Sequence, residues 1–420
     1  MAPILLSWIA AAVGTAVTAA ATIPAPVCQG TAPPQATINI HTTNMSVPGS
    51  PFGLVYARDD IVFAGMGHKV AMLSTAAFTP ALAREIALPA PFSQSQADAS
   101  GLALSRDKRY VYASIGPGAA IVDVEKAIAG DANPLAGLLV GTIGDGAIQV
   151  TLTADDGYAF VTQEYGSPNS TSYRGAIEVF QLHRSRNGSI SSTNKGYITL
   201  GFAVVGTVLS HDGSKMYVTS EVTGQATSAN ATQGTLSILD VATLKTNPSK
   251  ALLRTVDAGC SPVRLSLSPD GKMAWVTARE SNKLLMFDLA KLESSHPEEA
   301  LQASVQVGTS PVGVAIVNDG RYIITADSNR YNAANATTGL TVVDAKAALR
   351  GKQGFPRIPT GLFPREFAVS PDGKTLLVAQ YRSNAIQAID LTQLHTRTFP
   401  KVRAVIPLAE DVAQHGGLDD

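Results

Sequence analysis

The sequence predicts an all-β fold, a closed ring of seven four-stranded antiparallel blades, and three observations predict it. The first is a unit that starts at Ser261-Pro262 and holds three β-type runs, Val263 to Ser268, Met273 to Ala278 and Leu284 to Leu289. Its first two runs are joined by Pro269-Asp270-Gly271, where proline presets the turn dihedral and glycine accepts positive φ. The second is repetition. Pro364 to Leu391 restates the unit with Ser370-Pro371-Asp372-Gly373 at the turn, and looser copies begin near Pro51, Ala99, Ala147, Val204 and Pro311. Their spacing of roughly 50 residues suits propeller blades or solenoid repeats. The third is a further β-type run between units, such as Ala303 to Val307, which supplies a fourth strand. A lone meander cannot bury both faces, so the units must stack on one another, and closing the ring removes exposed sheet edges.

Taken in order, residues 1–21 read as a secretory targeting segment, an apolar run ending in Ala19-Ala20-Ala21. Residues 22–48 form a proline-rich, extended arm, 49–408 the propeller and 409–420 a polar tail. The arm offers a strand at Thr37 to His41 to close the last blade, and Val402 to Ile406 competes for that place. Cys28 in the arm and Cys260 before the fifth unit are the only cysteines. In an oxidising compartment they would form a disulfide pinning the arm across the ring, the alternative being two buried free thiols. Sequons at Asn44, Asn169, Asn187, Asn230 and Asn335 fit a secreted glycoprotein.

Charged residues make up only 15% of the chain and the net charge is -1, which argues against a nucleic-acid partner. No stretch after residue 21 is apolar enough for a membrane helix, so the expected partner is a small molecule; oligomeric state is left open. There is no HExxH, CxxC, G-x-S-x-G or P-loop, and the glycines near Gly116 and Gly118 make no dinucleotide fingerprint. No cofactor and no metal is expected; a calcium ion on Glu164, Glu221 and Asp327 is conceivable by ligand type alone.

Because the units are siblings, each can be read against the others. Two positions after the start of the first strand they carry Gly53, Gly101, Gln149, Gly206, Arg264, Gly313 and Glu366. The glycines suggest crowding at the axis, and Gln149, Arg264 and Glu366 break the pattern. One position earlier, Arg365 stands where the siblings have Phe52, Ser100, Ile148, Val205, Val263 and Val312. A charge where the fold prefers a small or apolar residue is costly unless paired, so these are functional candidates, with a structural Arg264–Glu366 ion pair as the competing reading. On the same rim, where second strands end, stand His68, Glu164, Tyr165, Glu221, Arg279, Asp327, Tyr331 and Tyr381. Arg264, Glu366, Arg365, Tyr381, Glu164 and Glu221 are read as catalytic candidates, and His68, Gln149, Arg279, Asp327, Tyr165 and Tyr331 as substrate-binding ones. The long loops after Glu164, Glu221 and Asp327 would make a partial lid.

Ser-Pro-Asp-Gly-Lys before a β-run, then Ser-Asn and a strand ending Asp-Leu, resembles the YVTN or YncE-type repeats of lactonase-like seven-bladed propellers. That resemblance implies the fold over nearly all of the chain after residue 50. The wider group includes 6-phosphogluconolactonase-like and muconate-cycloisomerase-like enzymes and binding proteins. With its leader and sequons the chain is also similar in outline to secreted fungal propellers of tropolone sesquiterpenoid biosynthesis. That outline implies a cofactor-free hetero-Diels-Alderase joining a tropolone quinone methide to a terpene, against a lactonase or cycloisomerase and a non-catalytic binding propeller. An acidic mouth, as Glu164, Glu221, Glu280 and Asp327 suggest, would disfavour a phosphorylated sugar acid.

Overall fold

A computed structural model describes residue 28 and residues 30–94, 98–144, 146–166, 174–223 and 233–394. It is a ring of seven four-stranded antiparallel sheets. The innermost strands run Pro51–Tyr56, Leu102–Leu104, Ala147–Leu152, Phe202–Leu209, Pro262–Leu267, Pro311–Val317 and Pro364–Val369. In the first six blades the outer three strands follow in chain order. Apolar side chains pack between each pair of neighbouring blades, including the seam where the seventh meets the first.

The turn signature has a shared physical cause. In five blades a Ser or Thr hydroxyl bonds an Asp two residues on, at 2.5–2.7 Å: Ser105 to Asp107, Thr153 to Asp155, Ser210 to Asp212, Ser268 to Asp270 and Ser370 to Asp372. The same hydroxyl accepts the backbone N–H five residues later, which locks the reversal. The Asp ending a third strand is a helix cap. Asp123, Asp240, Asp288 and Asp344 each accept from the backbone N–H three residues on and start the helices Val124–Ile128, Val241–Thr246, Leu289–Glu293 and Ala345–Leu349.

The ring closes from the arm, five residues later than the sequence suggests. Thr42–Ser46 is the outer strand of the seventh blade, paired with Ala385–Asp390. Thr37 makes only an isolated parallel bridge to Arg357, beside the two-residue outer strand Arg357–Ile358 of the sixth blade. Ile38 faces the core there, so the run is apolar because it packs, not because it pairs as a strand. Val402 to Ile406, the targeting segment and the tail lie outside the described residues.

Cys28 and Cys260 are disulfide-bonded, Cα atoms 5.5 Å apart. Beyond the bond the arm crosses the rim of the sixth blade, Ala32 donating to the Thr309 hydroxyl at 3.0 Å and accepting from Thr337 at 3.2 Å. Asn44 lies exposed in the closing strand, while Asn187 and Asn335 are exposed in turns; Asn169 and Asn230 lie outside the described residues. Among the described residues no helix is long and apolar enough to cross a membrane.

Candidate functional site

Crowding at the hub comes from backbone. A Cβ on Gly53, Gly101, Gly206 or Gly313 would lie 2.0–2.9 Å from the carbonyl oxygen of Ser100, Ile148, Val263 or Arg365 in the next blade. Glycine therefore lets each inner strand approach its neighbour. Where the pattern breaks, a channel of about 190 Å³ opens, lined by Gln149, Arg264 and Glu366 with Leu54, Leu102, Leu265 and Phe367. The Arg264 Nε donates to the Glu366 Oε1 at 2.6 Å, and a terminal nitrogen donates to the Val205 carbonyl at 3.0 Å. This is the ion pair in the channel, tying the fifth blade to the fourth and seventh. Gln149 is also engaged, its amide donating to the Thr207 carbonyl at 3.0 Å and accepting the Thr207 N–H at 3.2 Å.

Above this layer the residues one position earlier form an apolar collar. Val205, Val263, Val312 and Phe363 are buried together, with Ile148 and Tyr381 packed against them. Arg365 is the cation in that collar. Its guanidinium carbon lies 3.5 Å from the centroid of Phe52, 5.0 Å from Phe363 and 5.3 Å from Tyr381. Among the described residues it makes no ion pair, and its buried Nε has no hydrogen-bond partner. Burial, and after it the charge of Arg264, pushes the guanidinium down to about 9. Phe363 beneath it sits at φ 52, a left-handed conformation unfavourable for so bulky a residue.

Around the collar the rim residues group by partner. Arg279 forms a bidentate pair with Glu221, both contacts 2.7 Å, and lies 3.7 Å from Glu280. Burial lowers its pKa, but Glu221 and Tyr331 outweigh that and hold it above the ordinary arginine value. The exposed Tyr331 donates to Glu280 at 2.9 Å. Glu164 has its pKa raised by burial and then by Glu221, against a hydrogen bond from Tyr165 and the charges of Arg330 and Arg365. Tyr165 is half exposed, and burial and Glu164 raise its pKa. The Tyr381 hydroxyl donates to Asp98 at 2.7 Å and its ring meets Phe363 edge-on at 5.5 Å.

Two expected members are elsewhere. Asp327 is fully buried inside the sixth blade, accepting from the Thr341 hydroxyl at 2.6 Å and the Thr325 hydroxyl at 2.8 Å, with its pKa raised by burial to about 7. It ends its strand in register with the rim residues, but points into its own sheet. His68 lies exposed in a tight turn of the first blade, and among the described residues its side chain makes no hydrogen bond or ion pair with this cluster. The mouth is thus not the acidic one the sequence suggests, since Glu221 is neutralised by Arg279 and Asp327 is withdrawn. The same two facts remove the calcium set, and no group of three metal-ligating residues converges among the described residues. The loop stretches 167–173 and 224–232, read as part of a lid, lie outside the described residues. Asp98 was not foreseen, and nothing in the repeat pattern marks it; Phe363 stands where sibling units have Ser261 and Ser310. Larger clefts, about 620 and 600 Å³, open at the opposite rim, but there Arg184 pairs with Asp107 and Arg58 with Glu125.

Residues 206–334 and 290–400 match the family model described as "Lactonase, 7-bladed beta-propeller". The chain is a seven-bladed propeller whose second half is similar to that family. Those stretches run from the fourth blade through the seventh, and the first three blades repeat the same architecture. No curated protein sequence matches this chain. Among solved structures it is similar to a chain of Kuenenia stuttgartiensis hydrazine synthase, with TM-score 0.59 and 16% identity over 82% of this chain and 96% of that one. A chain of a mitotic checkpoint complex gives TM-score 0.59 and 12% identity over 93% and 98%. The Cps50 (Swd1) propeller domain of Myceliophteria thermophila gives 0.55 and 13% over 83% and 99%. At these identities the likeness is one of fold alone.

Proposed function

We propose that the propeller is a cofactor-independent enzyme acting on a small, largely apolar, oxygen-bearing substrate at the Arg365 mouth. The observation that carries the reading is a guanidinium set in an apolar collar with no carboxylate partner among the described residues. Such a group is prepared to stabilise negative charge developing on a substrate oxygen where water is scarce, the term that most often dominates rate enhancement. Glu164, whose pKa burial raises, would give a proton to a leaving or carbonyl oxygen. The collar would hold two apolar partners in reacting geometry.

These features support a hetero-Diels-Alder joining of a tropolone quinone methide to a terpene, in a fungal secretory-pathway route to a secondary metabolite. Arg365 would polarise the diene oxygen and Glu164 assist loss of water as the diene forms. A disulfide fits an oxidising compartment. Arg264 and Glu366 would shape the floor of the site rather than touch the reacting atoms, and Tyr381, its hydroxyl committed to Asp98, would position Arg365. A second reading, lactone hydrolysis or cycloisomerisation, is favoured by the family match. There Arg365 would hold the developing oxyanion.

The test is incubation of the purified full chain with a panel of lactones and with a quinone-methide precursor plus a terpene, read by mass spectrometry. A cycloadduct formed faster than in buffer supports the first reading, and ring-opened lactone the second. No turnover of either would leave a binding propeller.

A further inference from the structure

The third blade departs from its siblings at the rim opposite the mouth. Blades two, four, five and six follow their third strand with a capped helix. In the third blade, strands Ala176–Arg184 and Ile190–Thr199 join directly as one long hairpin. Its tip leans on the second blade, where the Tyr110 hydroxyl donates to the Gly188 carbonyl at 2.9 Å and Arg184 pairs with Asp107. The cleft of about 620 Å³ lies along this seam, with Leu182 and Ile190 of the hairpin on its apolar side.

Tyr112, which also lines the cleft, singles it out. It is the third residue of its blade's second strand, the place held elsewhere by Phe63, Phe160, Tyr217, Trp275, Ile324 and Leu377. Four of those are hydrocarbon, and the other hydroxyl, on Tyr217, donates to Glu293 at 3.0 Å. Tyr112 is 1% exposed, yet its hydroxyl has no hydrogen-bond partner among the described residues. The oxygen is not sealed from solvent, so what surface it shows belongs to the cleft. A hydroxyl sequestered without a partner carries a desolvation penalty that a bound group can remove.

The charges lining the cleft nearly cancel, Asp107, Asp155 and Asp156 against Arg106 and Arg184, so a strongly charged guest has little to gain there. The functions left open are mixed. One Asp155 oxygen accepts from Thr153 and from the Gly157 N–H, while the other has no partner among the described residues. Arg184 spends one terminal nitrogen on Asp107 and keeps further N–H donors.

We propose that this cleft is a second ligand site, separate from the mouth, for a neutral molecule rich in vicinal hydroxyls, a sugar ring or an open-chain polyol. One hydroxyl meets Tyr112, others are shared between the open Asp155 oxygen and the Arg184 guanidinium, and the C–H face lies on Leu182 and Ile190. A hydroxyl both donates and accepts, which suits a lining that offers both, and charged partners strengthen each bond. The volume is that of an ordinary small-molecule site. No turnover is implied.

The experiment is saturation-transfer NMR on the full chain with cellobiose, sorbitol and putrescine, each at about 5 mM. Transfer is expected to cellobiose or to sorbitol, the one that responds telling ring from open chain, and not to putrescine. Tyr112→Phe, which installs the residue two siblings carry, should keep the unfolding midpoint and weaken the bound probe about fivefold. Arg184→Gln should weaken it severalfold as well, and carries the test should Tyr112→Phe fail to fold. Tyr217→Phe should change nothing, and raising NaCl from about 50 to about 300 mM should leave the affinity of a neutral ligand as it was. No transfer to either hydroxylated probe, or transfer untouched by both cleft substitutions, overturns the proposal. Putrescine binding in their place overturns the neutral class, and binding lost in Arg365→Gln instead would put the probe at the mouth and overturn the second site.

Discussion

Arg279 in the fifth blade is buried and Arg365 in the seventh half-buried at one rim, and they differ in what surrounds them. Arg279 meets a carboxylate through two hydrogen bonds of 2.7 Å. Arg365 meets the faces and edges of three aromatic rings and, among the described residues, no carboxylate. The first guanidinium is held above its ordinary pKa and the second is pushed down to about 9. The contrast teaches that burying a charge is not by itself a sign of function. A paired buried charge belongs to the scaffold, whereas one left to aromatic rings and its own burial is the group proposed here to take its partner from outside.

The sharpest way to test that division is to remove the scaffold partner. Glu221→Gln removes both short contacts and leaves buried Arg279 only Glu280, at 3.7 Å, so the expected loss is about 3 kcal/mol in urea unfolding. Next in size is the strap that holds the arm. Cys28→Ser with Cys260→Ser should cost about 2–5 kcal/mol by the same measurement and lower Tm, without changing turnover per folded molecule. If turnover per folded molecule fell with it, the arm would belong to the site and the division between scaffold and mouth would fail.

Asp327 supplies a third buried charge, met by hydroxyls and amides rather than by a cation. Its folded-state pKa is raised from 3.8 to about 7, so between those values the folded chain holds a proton that the unfolded chain has released. Stability therefore falls as pH rises through this window, each unit being worth about 1.4 kcal/mol at most. Asp327→Asn should flatten this part of the stability–pH profile between pH 4 and 7, and an unchanged slope would contradict the assignment. The smallest stability effect is expected at Arg365. Replacing it by Gln removes a partly desolvated charge with no ion-pair partner among the described residues, so unfolding should shift by less than about 1 kcal/mol in either direction.

The repeat made much of this legible before any coordinates. Comparing sibling units located the glycine ring and marked Arg264, Glu366 and Arg365 as departures from it, because position within a blade fixes height above the channel. It did not reveal pairing. Glu221 and Arg279 stand at the same place in adjacent blades, and only the rotation between blades brings their side chains together. Asp327 occupies that same place but turns inward, because Thr325 and Thr341 offer it hydroxyls within its own sheet. Asp98 comes from a connection between blades, where no sibling comparison applies. The closing strand was displaced by five residues because Ile38 and Ile40 carry the apolar signal while packing rather than pairing.

The division between scaffold and mouth is tested most directly by measuring turnover and the unfolding midpoint side by side for wild type, Arg365→Gln and Glu221→Gln, on whichever substrate of the panel the wild type converts. The account predicts that Arg365→Gln keeps its midpoint and loses turnover by about a hundredfold, the cost of removing one preorganised oxyanion donor. Glu221→Gln should lose its midpoint first. An Arg365→Gln protein that unfolds as readily as Glu221→Gln, yet turns over at the wild-type rate per folded molecule, would contradict it.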